Sequence, residues 1–378
     1  MNKNILIISG EPSGDIRAGE LVKELKKLVH GFEFWGIGGD SMKREGVLLC
    51  EHIREFSFVG AWEVLCNLGK IHSQYKNLTK LILKKRPAAA ILIDYPGFNL
   101  RMARFLSKHK IPVIYYIIPQ VWAWGANRVN HLRNYVEKTL VLFKFEETFL
   151  TAHGVNAEFA GHPLVDTVMP PAYERRENTT PDCFKIALLP GSRKHEILNL
   201  LPIMLQTAEK ISLKNPETRF IIAENSNVNK SLYDSLISPY TRLNLTRVTD
   251  DAFNALNQSD FAIITSGTAT LEATLLKKPM IITYKAAFIT YILYHMVNKA
   301  PFLGLVNIIA GEKIVPELLQ DDATSEKLTA KTLEIISDPD KMSKTKEALQ
   351  KVTAALGKKG AALRAAQSIA KFLQEKNI

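Results

Sequence analysis

Short, mostly apolar runs alternate with amphipathic helical stretches along this chain, and the alternation happens twice. In the first half, residues 4–9, 32–37, 88–93, 113–118 and 139–143 read as buried strands. Residues 17–28, 75–85 and 100–109 carry helical periodicity between them. Strands that show no polar alternation are covered on both faces, so βα alternation of this kind implies a parallel sheet with helices on either side.

The pattern breaks at residues 169–182, which hold three prolines and the charged run Glu174-Arg175-Arg176-Glu177. This segment reads as a linker. Alternation then restarts, with strands at 186–189, 219–223, 245–248, 261–265 and 280–284 and helices at 197–213 and 271–276. A chain of 378 residues is too long for one ordinary core and suits two. The expected fold is therefore α/β, with two Rossmann-like domains facing a cleft. The boundaries are 1–168 for an N-terminal acceptor domain and 183–338 for a C-terminal nucleotide domain. Residues 339–378 form terminal helices, rich in Lys and Ala, with two destinations open: back on the first domain, or against a partner subunit in a homodimer.

Open α/β sheets bind ligands at the carboxyl ends of their strands, and the motifs fall there. Leu189-Pro190-Gly191-Ser192-Arg193 follows one strand, and Thr265-Ser266-Gly267-Thr268-Ala269-Thr270-Leu271-Glu272 follows another. Small residues and free N–H groups at a helix start suit phosphate. Arg193 adds a guanidinium able to grip a diphosphate beside Ser192. Ser266, Gly267 and Thr268 add hydroxyls and amides. Glu272 lies one turn beyond Thr268, on the same helix face, where a carboxylate accepts both ribose hydroxyls. Glu196 reads only as a favourable charge at a helix N-terminus. A nucleotide site in the second half, with no G-x-G-x-x-G spacing in the first, points to a nucleotide-sugar transferase and away from a dehydrogenase.

In the first half, Ser9-Gly10-Glu11-Pro12-Ser13-Gly14-Asp15 joins a strand to a helix. Gly10 and Gly14 permit a tight turn and close backbone approach to a ligand, and the helix start with Ser13 suits an anion. The competing reading is a plain turn capped by Ser13 or Asp15, which leaves Glu11 without a folding role. Asp94 closes another apolar run, in Ile93-Asp94-Tyr95-Pro96-Gly97-Phe98-Asn99. Partly desolvated there, its pKa rises and it can take a proton from a sugar hydroxyl; helix capping is the alternative. Pro119-Gln120-Val121-Trp122-Ala123-Trp124 brings Gln120 and two indoles to a strand end, for stacking on sugar or acyl surfaces or for core packing. His162, in Gly161-His162-Pro163-Leu164-Val165-Asp166, offers a phosphate or sugar contact or a structural donor.

The net charge is +11, which favours an anionic partner. The basic residues are dispersed and no nucleic-acid motif occurs, so nucleic acid is not expected. Three cysteines lie far apart, which fits neither a zinc site nor disulfides and suggests a reducing cytoplasm. No signal peptide and no spanning helix is read. The Asp-x-Asp at Asp338-Pro339-Asp340 sits at a helix start and reads as a cap, so neither metal nor cofactor is expected.

Together these motifs resemble the lipid-A-disaccharide synthase family, inverting glycosyltransferases of the two-Rossmann (GT-B) type. The resemblance also runs through Gly36-Ile37-Gly38-Gly39, Phe58-Val59-Gly60-Ala61-Trp62-Glu63-Val64-Leu65 and Val306-Asn307-Ile308-Ile309-Ala310-Gly311. It implies transfer of 2,3-diacylglucosamine from UDP-2,3-diacylglucosamine to 2,3-diacylglucosamine 1-phosphate (lipid X), giving the β-1,6-linked lipid A disaccharide 1-phosphate and UDP. It further implies Asp94 as general base with Glu11 nearby, the choice between them being open, and Arg193, Ser266, Gly267, Thr268, Glu272 and Asn307 on the UDP-sugar side. Gly97 stands where some members have Asp, and Ile118 where a Ser is common. The substrates place the enzyme at the cytoplasmic face of an inner membrane. A helix through Trp62, Leu65, Leu68 and Ile71, with Lys70, either dips into that anionic surface or simply faces the core. A UDP-sugar 2-epimerase and a non-catalytic binding protein are the rival readings.

Overall fold

The computed structural model describes residues 3–55, 68–122, 126–168, 183–285 and 301–378. The linker at 169–182, the block at 58–65, and Ala123 and Trp124 lie outside the described residues. The chain forms two compact units. One comprises Met1–Pro163 with Leu356–Ile378, the other Leu164–Ala355.

The first unit holds strands β1 (Asn4–Ser9), β2 (Glu33–Gly38), β3 (Leu48–His52), β4 (Ala89–Ile93), β5 (Val113–Tyr116), β6 (Lys138–Val141) and β7 (Ala157–Phe159). They form one sheet in the order β3-β2-β1-β4-β5-β6-β7, parallel throughout. Helices α1 (Pro12–Leu28), α2 (Asp40–Arg44), α3 (Leu68–Lys85), α4 (Pro96–Lys108), α5 (Ala126–Tyr135) and α6 (Lys144–Ala152) connect them. The strand β1 explains why its sequence is apolar throughout. Leu6 and Ile8 join a core with Leu92 and Met102 on one face, while Ile5 and Ile7 join a second core with Leu21 and Val22 on the other.

The second unit repeats the plan with β8 (Lys185–Leu189), β9 (Arg219–Glu224), β10 (Leu245–Thr249), β11 (Phe261–Thr265), β12 (Met280–Tyr284) and β13 (Glu317–Leu319). Their order is β10-β9-β8-β11-β12-β13, again parallel. Its helices are α7 (Leu164–Val168), α8 (Lys194–Lys214), α9 (Lys230–Ile237), α10 (Ala252–Asn257), α11 (Ala269–Leu275), α12 (Leu305–Ala310), α13 (Ser325–Ile336) and α14 (Pro339–Ala355). In each sheet the strand order reverses direction once, between β1 and β4 and between β8 and β11. Loops leaving the carboxyl ends on either side of such a reversal diverge and leave a crevice.

The terminal helices part company. On α14, Leu349 and Val352 are buried in the second unit. The last helix, α15 (Ala361–Glu375), buries Ala365, Ala366, Ile369, Phe372 and Leu373 in the first unit's core, with Leu21, Val22 and Leu25 of α1. Arg364 pins its start by donating to the carbonyls of Ala160, Lys359 and Lys358. Asp338 accepts from the amides of Asp340 and Lys341, so the Asp-x-Asp pair begins α14 as a cap.

Candidate active site

In the first unit the reversal lies between β1 and β4, and Glu11 and Asp94 follow those two strands. Helix α1 begins at Pro12, earlier than its periodicity suggests, because Pro at the first helical position needs no hydrogen bond and arrives with helical φ. Glu11 is therefore the N-cap residue, exposed and with its side chain making no cap bond. Ser13 is exposed on the first turn. Asp15 does not cap its own helix. It is buried and accepts from the amides of Gly39, Ser41 and Met42, which caps α2 instead.

The two glycines of this turn are closely packed. A Cβ on Gly10 would lie 2.3 Å from the Tyr95 ring, and one on Gly14 would lie 2.5 Å from Ser9 Oγ. Both are small because neighbouring side chains fill the space, which gives them a packing role within the turn. The Tyr95 ring thus seals Gly10 and stacks on Phe98 at 5.7 Å.

Asp94 leaves β4 in the left-handed region, at φ 49°. Burial first, and the Glu11 charge second, push its pKa up to about 6. It is a carboxylate held near the point where it can exchange a proton at physiological pH.

Gln120 is exposed beyond β5. Trp122 donates its indole N–H to Glu146 Oε1 at 3.2 Å and packs edge-on against Phe145. Glu146, whose other oxygen accepts from the amides of Leu142 and Phe143, is buried, and burial raises its pKa to about 7. Trp124 lies outside the described residues. The His162 ring packs on Phe143 at 5.3 Å, and its backbone N–H donates to Leu356. Burial, then the nearby Arg17, hold the imidazole down at about 4. At neutral pH it carries no charge to offer a phosphate.

In the second unit the reversal between β8 and β11 opens a pocket of about 530 Å³. Gly191, Ser192 and Arg193 line it from the end of β8, and Ser266, Gly267, Thr268 and Glu272 from the end of β11. Gly191 has φ +110°, and a Cβ there would meet Glu196 Oε2 at 2.4 Å, so only glycine fits. The reason is a correction to the expected cradle. Glu196 is no bystander at the helix start: its Oε2 accepts from the amides of both Ser192 and Arg193. Those amides are used within the fold, while the Arg193 side chain is 61 % exposed. On the other side no side chain caps the start of α11 at Thr268.

Sequence reading missed the other wall, formed by Glu224, Asn225, Asp250, Asp251 and Phe253 after β9 and β10. The strand-end rule that located the two glycine loops applies equally to these loops. Five carboxylates line the pocket, and among the described lining residues Arg193 is the one cation. Most of those carboxylates are engaged. Glu196 holds the Ser192 turn, Glu224 accepts from Arg247, Asp250 from the Ser226 amide and Asp251 from the Asn254 amide. Glu272 alone has no donor among the described residues, and burial, then Asp251, raise its pKa.

Asn307, expected on the UDP-sugar side, is not in the pocket. Fully buried, it donates to Val315 O and Glu317 Oε1 and accepts from the amides of Ile314 and Val315. All its hydrogen-bonding capacity is used. Its influence reaches the pocket indirectly. Glu317 also accepts from the amides of Leu303 and Gly304, and Leu303 O accepts from Ser266 Oγ.

Comparisons with known proteins give the family and the fold. A model described as lipid-A-disaccharide synthetase matches residues 5–372. The lipid-A-disaccharide synthase of Anaeromyxobacter sp. (strain K) is 35 % identical over 372 residues, covering 98 % of this chain and 97 % of that one. Among solved structures, the UDP-GlcNAc 2-epimerase from Neisseria meningitidis bound to UDP-GlcNAc is similar with a TM-score of 0.64 at 13 % identity, covering 98 % of this chain and all (100 %) of that one. The calicheamicin glycosyltransferase CalG4 is similar with a TM-score of 0.65 at 12 % identity, covering 100 % and 99 % of the two chains.

Proposed function

The chain belongs to the lipid-A-disaccharide synthetase family, and on that premise we propose how its two sheet ends divide the work of a glycosyltransferase. The donor is UDP-2,3-diacylglucosamine and the acceptor lipid X. The acceptor 6-hydroxyl loses its proton to Asp94 and attacks the anomeric carbon, while the bond from that carbon to the UDP oxygen breaks. One displacement inverts the configuration and gives the β-1,6 linkage. The departing diphosphate takes the electron pair, and its charge meets the Arg193 guanidinium and the amides of the Ser266–Thr268 turn. Glu272 accepts from the ribose hydroxyls.

The observation that carries the mechanism is Asp94, a carboxylate raised to about 6 by burial at the reversal point of the first sheet. A carboxylate of ordinary acidity is a weaker base for a hydroxyl proton, and a raised one remains largely ionised at pH 7. Glu11 supplies the second, secondary charge. The donor side rests on the pocket at the matching point of the second sheet, with Glu272 as its unengaged carboxylate.

The substrates carry acyl chains, so the enzyme works against an anionic membrane, on the cytoplasmic face of the inner membrane in this reading. No helix among the described residues is long and apolar enough to cross a membrane, and the net charge of +11 favours attachment to its surface. Residues 56–67, which include Trp62 and Leu65, lie outside the described residues.

The test is to incubate the protein with UDP-2,3-diacylglucosamine and lipid X and follow products by mass spectrometry. Disaccharide 1-phosphate and UDP in equal amounts are expected. UDP-sugar consumption without lipid X, or binding without turnover, would refute the reading.

A further inference from the structure

The backbone around Asp94 is held in an unusual way. Asp94 and Tyr95 lie consecutively in the left-handed region, at φ 49° and 50°, and Ile117 on the neighbouring loop has φ 60°. Residues with a Cβ avoid this region, and such backbone persists only where surrounding groups over-determine it. Here two fully buried polar side chains converge on one carbonyl. Tyr115 Oη donates to Asp94 O at 2.7 Å, and Asn99 Nδ2 donates to the same oxygen at 2.8 Å. The Asn99 amide nitrogen also lies 3.2 Å from Ile93 O, and its backbone N–H donates to Tyr95 O. The Asp94 N–H is shared between the carbonyls of Tyr116 and Ile117, each at 3.2 Å. Below the pair, the Tyr95 ring fills the space over Gly10.

A phenol and an amide taken out of water are costly unless paired. A plain strand-to-helix turn needs neither. A left-handed pair that must leave the sheet in one direction does need its carbonyl held, because the φ and ψ of Asp94 set where its carboxylate points.

We propose that Tyr115 and Asn99 are positioning residues for Asp94, gripping its carbonyl from β5 and from the first turn of α4 so that the left-handed Asp94–Tyr95 pair keeps the carboxylate in its half-buried place. This rests on Asp94 being the base. The charged and titratable groups around that carboxylate are Glu11 from the β1–α1 turn, Tyr95 on its own loop and Tyr115 on β5, with Arg128 of α5 acting on Tyr115. Releasing the carbonyl lets the carboxylate swing toward water. Turnover falls, and the acidic limb of the pH profile moves below its parent position, because burial is the largest cause of the raised value.

The experiment measures kcat, KM for both sugars, melting temperature and pH–rate profiles for Tyr115→Phe, Asn99→Ala and Asp94→Asn in the full-length enzyme. Tyr115→Phe, which removes one oxygen and no ring volume, is expected to lower kcat about tenfold or more, since a misplacement of about 1 Å can cost about a hundredfold. KM should change little and the acidic limb should shift to lower pH. Asn99→Ala should act in the same direction, and if it fails to fold the phenylalanine variant decides alone. Parent-like kcat and limb in Tyr115→Phe, with Asp94→Asn inactive, would overturn the positioning role and leave the base intact. A kcat loss that only follows the melting temperature, with the limb unmoved, would overturn it too. An active Asp94→Asn would remove the base reading itself.

Discussion

At the scale of the residue, Asp94 and Glu272 are carboxylates whose pKa burial raises, and the proposed mechanism gives them different work, one as base and one as ribose contact. The consequences differ. A base works only when ionised, so with Asp94 at about 6, kcat/KM should fall as pH drops through that value and hold above it. Asp94→Asn is expected to lose nearly all turnover while keeping the parent melting temperature, because Asn tolerates the left-handed backbone as Asp does. A variant within a few-fold of parent activity would remove Asp94 from the mechanism. Glu272→Ala should weaken UDP binding by about ten- to a hundredfold, the usual worth of hydrogen bonds to a charged group, with kcat at saturating donor less affected. Unchanged affinity in titration calorimetry would refute the ribose contact. Residue identity made both carboxylates visible in the sequence, because an acidic side chain directly after an apolar strand or in a small-residue helix start has little other work. The resemblance put Asn307 on the UDP-sugar side, where it is instead sealed behind Glu317, and the turn reading of Gly10 did not foresee the Tyr95 ring packed on it. Their roles depend on the partners that fold around them, and no spacing rule shows that Glu317 or the Tyr95 ring will arrive there.

At the scale of the element, strands buried on both faces were legible almost residue by residue, since two-sided burial demands unbroken apolar runs. Of the four edge strands among the described residues, β10 was read at 245–248, but β3, β7 and β13 were not. Edge strands are only partly covered, and Leu48–His52, Ala157–Phe159 and Glu317–Leu319 mix charged with apolar residues. Helix starts were also hidden where a charged residue reaches across to cap. Glu146 is the sharpest case, serving α6 and Trp122 at once. Its pKa stands at about 7 against 4.5 in an unfolded chain. Between those values the folded state binds a proton that the unfolded state does not. Folding stability therefore falls as pH rises through that window, by about 3 kcal/mol. In Glu146→Gln the amide oxygen can still accept from the loop amides, while its NH₂ meets the indole N–H donor to donor. The expected outcome is a melting temperature that falls less steeply than the parent's between pH 4.5 and 7, with the share carried by Asp94 remaining, and an altered Trp122 fluorescence. A pH dependence equal to the parent's would show that another group carries it.

At the scale of the whole molecule, the chain builds its first unit from both ends. Because α15 buries Ile369, Phe372 and Leu373 in the same core as α1, a chain ending at Ala355 should fail to fold its first unit. Circular dichroism and limited proteolysis would show this, and a cooperative native-like melt of residues 1–163 in the shortened chain would contradict it. The second unit is continuous, so a fragment spanning Leu164–Ala355 should fold alone and bind UDP through Glu272. The sequence by itself determined the chemistry's main inventory: two parallel α/β units, loops at strand ends, and Glu11, Asp94, Arg193 and Glu272 on those loops. Periodicity and side-chain chemistry are local, and a strand's burial is written in the strand. Only the tertiary structure decided which of those groups stay available. The Ser192 and Arg193 amides are taken by Glu196, Asn307 is sealed behind Glu317, and Asp94 is gripped by Tyr115 and Asn99. Hydrogen bonds between distant residues form only when the sheet brings their strand ends together, and nothing in the spacing of one partner specifies the other.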